Sequence, residues 1–298
     1  LPPSPGRGER SRHAKIDAVP APRATIRRPT TLASLMVGAC VLLSMSCGSP
    51  SPSSSPGSST VPDGPPEQLT VRVQRSYPHD PRAFTQGLEL ADGSSYFEST
   101  GLEGRSSLRR VQLESGEVLQ RRDLDRSQFA EGVTRVGDRL VQLTWRDGVA
   151  HVYDAGTLAP VEDFDYEGEG WGLCYDGRRL VMSDGSGTLA IRDPGSFELL
   201  DRVRVTNDGK PVQKLNELEC VDGTVYANVF QTDQILRIDL ASGRVTGVID
   251  ASGLLTPEEA QQADVLNGIA FDRERGVFLL TGKLWPKVFE VTFEPAGS

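Results

Sequence analysis

The chain has 298 residues, with 41 acidic and 32 basic side chains, a formal net charge of −9 and 37% hydrophobic residues. Seven basic and two acidic residues in the first sixty leave 25 and 39 for the rest, a net charge of −14 on the part able to build a core. So acidic a surface argues against nucleic acid as a partner, and about 230 residues from Leu69 onward suffice for one full domain.

Along the chain, the stretch before Arg23 is rich in Pro and Arg, contains no Met, and carries no assigned function. Arg27 and Arg28 then precede an apolar run from Leu32 to Met45, followed by Ser46-Cys47 and the stretch GSPSPSSSPGSST. A membrane-spanning helix needs about 20 apolar residues. This shorter run fits the charged and apolar regions of an export signal, and the Pro/Ser/Gly-rich stretch fits a flexible tether. Residues 1–47 are therefore expected to be a secretory or lipoprotein-type leader, 48–68 a tether, and 69–298 the folded domain. Cys47 is the expected lipidation site, giving an envelope protein anchored by acyl chains, with plain secretion as the alternative. Cys40 has a better cleavage box, VGAC, but too short an apolar run before it.

Beyond the tether the chain repeats itself. FTQGLELADGSSYFEST, FAEGVTRVGDRLVQLTW, GWGLCYDGRRLVMSDGS, NELECVDGTVYANVFQT and LNGIAFDRERGVFLLTG each give a short apolar strand, a turn and a second alternating strand. Gly87, Gly132, Gly172, Leu218 and Gly268 are taken as equivalent, with spacings of 45, 40, 46 and 50 residues. A third strand follows each pair (SLRRVQL, VAHVYD, TLAIRD, QILRIDL, KVFEVTF), and usually a fourth, such as VLQRRDL or LLDRVRV. Four antiparallel strands recurring every 40 to 50 residues predict an all-β, five-bladed β-propeller. The fifth repeat lacks a fourth strand, so LTVRVQRS, Leu69–Ser76, is expected to supply it and close the ring. Six blades disagree with the count of five, and a β-sandwich with the regular spacing. One helix is expected, Thr256–Ala263, with Thr256 as N-cap, Pro257 at N1 and Glu259 at N3.

In an up-and-down blade the start of the first strand lies beside the end of the second. That rule collects Phe84, Gln86, Glu131, Trp171, Asn216, Glu217 and Asn267 with Glu98, Trp145, Asp184, Phe230, Lys283 and Trp285 on one rim. All three Trp fall there, among carboxylates, carboxamides and a lysine. An aromatic wall with a few converging polar groups is the usual form of a small-molecule site. Each residue also has a plain structural reading. Glu131 could accept backbone hydrogen bonds, Lys283 could be a solvated rim charge, Asp184 fits a turn former, and one of Glu217 and Glu219 is expected to bridge blades. His13, His79 and His151 give neither a Ser-His-Asp set nor a three-His zinc site, and no Gly-rich phosphate loop occurs. Cys174 and Cys220 each stand two residues before an Asp-Gly turn in adjacent repeats, which leaves open whether they pair.

The stretches HDPRAFTQGL, YFESTGLEGRSSLRRV, FAEGVT, LTWRDGVAHVYD, EGWGLCYDG, LNELE, ANVFQTD, VLNGIAFD and LTGKLWPKVFEV closely resemble the plant-type glutaminyl cyclases, or glutaminyl-peptide cyclotransferases, from about Tyr77 to Val291. The resemblance implies a five-bladed propeller that converts N-terminal Gln of peptides or proteins to pyroglutamate with loss of ammonia. It implies Glu131 as general acid/base, with Asn216 and Lys283 on the oxygen of the side-chain amide. Phe84, Gln86, Trp145, Trp171 and Phe230 would shape the pocket, Phe230 standing where many relatives have Trp and so lacking an indole N–H. No cofactor or catalytic metal is required, although a structural divalent cation is compatible with the family. The expected partner is a Gln-initiated peptide or protein, and the expected state a monomer. Two other classes stay open: a metal-dependent lactonase or hydrolase using Glu98, Asp184 and Glu217, and a peptide-binding propeller without turnover.

Overall fold

Alternating apolar residues and Asp-Gly turns produce a chain of hairpins in the computed structural model, which describes residues 64–297. The expected leader, Cys47 and the expected tether up to residue 63 lie outside the described residues. The first strand is β1 (Glu67–Pro78). Four strands make the first unit, β2 (Thr85–Asp92), β3 (Ser95–Thr100), β4 (Ser107–Gln112) and β5 (Val118–Asp123), and four the second, β6 (Ala130–Val136), β7 (Arg139–Thr144), β8 (Val149–Asp154) and β9 (Pro160–Asp165). The third is β10 (Leu173–Tyr175), β11 (Leu180–Met182), β12 (Thr188–Arg192) and β13 (Leu199–Arg204), followed by the short pair β14 (Thr206–Asn207) and β15 (Lys210–Pro211). The fourth is β16 (Leu215–Val221), β17 (Thr224–Val229), β18 (Gln234–Asp239) and β19 (Arg244–Asp250). After α1 (Pro257–Ala260) come β20 (Leu266–Asp272), β21 (Val277–Gly282) and β22 (Lys287–Pro295).

The last three strands acquire their fourth from the N-terminal side. β1 runs antiparallel to β22, from Leu69 opposite Pro295 to Pro78 opposite Lys287. It also runs parallel to β19 over Glu67–Thr70, which merges the fourth and last units into one ten-stranded sheet. The other three units are separate four-stranded sheets.

Packing follows the same order. Each of five apolar clusters lies between two successive units; for example, Phe97 and Leu108 of the first pack with Val133 and Leu140 of the second. Tyr96 and Leu88 of the first unit meet Ala270, Leu279 and Val288 of the last. Each fully buried side chain of this size contributes about 1.5–3 kcal/mol. The first strands of successive units are also neighbours, and β20 lies beside β2. Their approach is close enough to require glycine: a Cβ on Gly132 would lie 2.7 Å from the Leu173 nitrogen, and one on Gly172 would collide with the Asn216 carbonyl.

Three details differ from, or go beyond, the sequence reading. The fourth repeat aligns with Glu217, not Leu218, at the glycine position, because Leu218 pairs with Ala227 as Val133 pairs with Gln142 and Ile269 with Leu280. The Glu217 carboxylate reaches two other units, accepting from Leu88 N at 3.2 Å and Ile269 N at 2.8 Å. It is the expected inter-unit bridge. The helix keeps its predicted capping box but ends at Ala260 instead of Ala263, since Asp264 N must reach the Lys283 carbonyl, 2.8 Å away, to begin the next hairpin. Cys174 and Cys220 form a disulfide with Cα atoms 5.5 Å apart, joining β10 to β16.

Candidate active site

Four of the five hairpins have the same irregularity at their open end. The register shifts just after Thr85, Ala130, Leu215 and Leu266, where Gln86, Glu131, Asn216 and Asn267 stand. A bulge re-aims the side chain it contains. In the third unit the strand begins only at Leu173, and Trp171 occupies the equivalent place, its N–H bonded to the Ser183 carbonyl at 3.0 Å. The opposite strand ends supply Trp145, Phe230 and Lys283, whose N–H groups bond to the carbonyls of Phe129, Lys214 and Val265 at 2.9 Å each.

These residues surround one cavity of about 360 Å³. All eight protein-site residues expected from the sequence line it: Phe84, Gln86, Glu131, Trp145, Trp171, Asn216, Phe230 and Lys283. Phe129 is the ninth and had not been expected. It packs edge-on against Phe84 at 6.1 Å and Trp145 at 5.6 Å. The signal was in the repeat, since Phe84-Thr85-Gln86-Gly87 and Phe129-Ala130-Glu131-Gly132 are the same four-residue pattern.

The polar groups are deeply set. Glu131 is 5% exposed and receives one hydrogen bond, from Gln86 Nε2 at 3.1 Å. Gln86 is itself held by Asn267, whose Nδ2 donates to Gln86 Oε1 and to the Thr85 carbonyl, both at 3.1 Å. Burial pushes the Glu131 carboxyl well above the usual carboxylate range; the Lys283 ammonium opposes this and the Glu169 carboxylate adds to it. Burial likewise lowers the Lys283 ammonium, against the pull of Glu131 and Asp264. The Lys283 Nζ makes no ion pair within 4.0 Å among the described residues and sits 4.8 Å from the Phe84 ring centre and 5.0 Å from that of Phe230. Two aromatic faces thus hold a cation that the protein leaves available. Phe230 keeps this wall, in edge contact with Trp171 at 5.5 Å, but offers no N–H of its own. The Asn216 side-chain amide also has no partner among the described residues, and its Oδ1 is fully buried.

Glu169 is the second residue that the sequence did not suggest. Its Oε2 accepts both indole N–H groups, Trp145 at 2.8 Å and Trp171 at 3.1 Å, and its Oε1 accepts Arg146 at 2.9 Å. Partial burial works against its charge, but Trp171, Arg146 and Trp145 together hold its carboxyl below the usual range. One carboxylate therefore fixes two walls of the cavity. Its only sequence sign is its place two residues before Trp171 in EGEGWG.

Other rim candidates lie elsewhere. Trp285 is buried in the core beside Phe289, donating to the Asp264 carbonyl at 2.8 Å. Glu98 is fully buried in an ion-pair network with Arg109 and His79. Asp184 caps its turn by accepting from Ser186 N at 2.9 Å. Glu98, Asp184 and Glu217 therefore each have a separate structural task, and no cluster of three or more His, Cys, Asp or Glu suited to a metal occurs among the described residues. His151 pairs with Asp163 and Gln128 away from the cavity.

Comparison with known proteins places this arrangement. The model of a family described as glutamine cyclotransferase matches residues 42–293. A glutaminyl-peptide cyclotransferase of Arabidopsis thaliana is 41% identical over 232 residues, 76% of this chain and 72% of that protein. The crystal structure of Myxococcus xanthus glutaminyl cyclase is similar with a TM-score of 0.70 and 41% identity, covering 78% of this chain and 99% of that one. The chain belongs to the glutamine cyclotransferase family.

Proposed function

We propose that the cavity converts the N-terminal glutamine of peptides or proteins to pyroglutamate with release of ammonia, Glu131 carrying the proton. The activity is that of a glutaminyl-peptide cyclotransferase, in keeping with the family and with relatives 41% identical to this chain where they align. One observation carries the assignment of roles. A single aromatic-walled cavity contains a carboxyl raised by burial and, among the described residues, an ammonium without an ion-pair partner and a carboxamide without a hydrogen-bond partner.

The reaction needs those three groups. The substrate's neutral α-amine attacks the carbonyl carbon of its own side-chain amide, forming the lactam C–N bond. The bond to the amide nitrogen then breaks. Glu131 takes the proton released by the attacking amine and delivers it to the departing nitrogen, which leaves as ammonia. A carboxyl with a pKa raised toward neutrality is both a competent base and a competent acid for that exchange. Lys283 and the amide of Asn216 meet the negative charge developing on the carbonyl oxygen. Phe84, Phe129, Trp145, Trp171 and Phe230 keep water out and hold amine over carbonyl, while Gln86 aligns the carboxyl. No cofactor or catalytic metal enters this scheme, and a divalent cation elsewhere would be structural.

The same reading takes the five four-stranded units as blades of a closed propeller. It is supported by the cyclic order of the apolar clusters, by contact between β20 and β2, and by β1 completing the last unit. The enzyme is taken to act as a monomer, exported and either lipid-anchored at Cys47 or secreted.

The test is mass spectrometry of Gln-initiated dipeptides after incubation, with ammonia measured in parallel and with chelator present. We expect loss of one ammonia per peptide by the parent protein, insensitive to chelator, and release slowed by about 10²-fold or more in Glu131→Gln. Binding without ammonia release would favour a non-catalytic peptide receptor, and loss of turnover in chelator a metal-dependent hydrolase.

A further inference from the structure

Beside the catalytic cavity lies a second one of about 430 Å³, and its charge is opposite to that of the protein as a whole. Five guanidinium groups line it, Arg82, Arg105, Arg109, Arg121 and Arg126, against two carboxylates, Asp80 and Asp123. The chain has a net charge of −9, so this is a local excess of cations on an acidic molecule. The two carboxylates are already engaged. Asp80 takes Arg109 at 2.9 Å and Arg82 at 3.2 Å, and Asp123 takes Arg121 at 2.7 Å. Arg105 and Arg126, both exposed, have no ion-pair partner among the described residues.

The two cavities share a wall. Phe84 lines both, and Gly101 of the arginine cavity packs directly beneath the ring of Phe129, which lines the catalytic one. A peptide whose terminal glutamine occupies the catalytic cavity must lead its following residues out over the rim. On the Trp145 and Trp171 side it meets the Glu169 carboxylate, which is held ionised by its three donors. Across Phe84 it meets the guanidinium groups of Arg105 and Arg126, unpaired among the described residues. Extended chain advances about 3.3–3.6 Å per residue, so roughly two to three residues after the glutamine span one aromatic ridge.

We propose that the arginine cavity is a substrate subsite that selects peptides carrying Asp or Glu shortly after their N-terminal glutamine. The inference rests on the reading of the neighbouring cavity as a glutaminyl cyclase site and adds the substrate class. Arg105 and Arg126 supply the recognition, because guanidinium groups bind carboxylates through paired N–H donors and these two have none to satisfy already. The remaining arginines shape the cavity and raise its potential.

The experiment compares ammonia release from Gln-Gly-Asp-Glu and Gln-Gly-Lys-Arg, both C-terminally amidated, as a ratio of kcat/KM. At low salt the acidic peptide is expected to be preferred by about tenfold. The preference should shrink as ionic strength rises and collapse to near unity in the double variant Arg105→Glu/Arg126→Glu. Equal use of both peptides by the parent protein, or a preference that survives salt and the double variant, overturns the subsite alone. Absence of ammonia release from either peptide overturns the reading of the catalytic cavity and the subsite with it.

Discussion

Glu98 and Glu131 are both buried glutamates in adjacent units, yet they have opposite chemistry. Glu98 faces Arg109 through its Oε2, Thr85 Oγ1 at 2.7 Å and His79 Nε2 at 2.9 Å. His79 Nδ1 meets the Trp285 carbonyl at 2.6 Å, so both ring nitrogens face acceptors, and Glu98 raises the imidazole against the opposing effect of burial. Burial alone would raise the Glu98 carboxyl, but Arg109 and His79 overcome it and hold the group far below the ordinary carboxylate range. Among the described residues Glu131 has one neutral amide donor and no bonded cation, and burial wins. What separates a structural carboxylate from a reactive one here is the number of charged donors supplied, since the two are almost equally deep.

Glu131→Gln tests this contrast most severely. It should lower kcat by about 10²–10⁴-fold with unfolding by denaturant unchanged within error, because no ion pair is broken. Glu98→Ala should reverse that pattern. Removing one side of a buried pair costs about 3–5 kcal/mol of stability, measured by urea unfolding. Glu98, held below its unfolded value, contributes stability that is present above about pH 4 and lost as the pH falls through the folded value. His79 is raised by Glu98 against burial, so its share is full below about pH 6.5 and lost as the pH rises past its folded value. The stability difference between parent and Glu98→Ala should therefore be widest between those limits.

Smaller effects sharpen the comparison. Lys283→Met should cost about 10²-fold in kcat. It also removes the cation that favours ionised Glu131, so the acid limb of the pH–rate profile should move to higher pH. Glu169→Gln removes the carboxylate that disfavours ionised Glu131, and the same limb should move to lower pH. Shifts of the same sign in both variants would refute the electrostatic account of the site.

The two glutamates also mark how far the sequence could be read. Antiparallel geometry put both on one rim, since one starts a strand and the other lies near a strand end. For Glu131 that was right. For Glu98 it was not, because Arg109 stands directly opposite on β4 and His79 arrives from a loop nineteen residues earlier, and neither contact has a periodic signature. Trp285 failed in the same way, its indole turning to the Asp264 carbonyl and the core. Glu169 was invisible because it acts from a loop, by accepting hydrogen bonds from two side chains already recognised as wall.

The resemblance to the glutaminyl cyclases selected the eight cavity residues from the thirteen set on one rim; alternation of apolar and polar residues, turn chemistry and the repeat period determined by themselves the all-β class, the hairpins and the strand that completes the last unit. These are local properties, set by backbone sterics and side-chain spacing, and they repeat along the chain. Only the tertiary structure decided which carboxylates have cationic partners, that Cys174 and Cys220 meet, that Glu217 reaches two other units, and that a cluster of arginines lies beside the site. Those outcomes depend on side chains from different units approaching within hydrogen-bond distance, and electrostatics at that range is governed by burial and by partners remote in sequence.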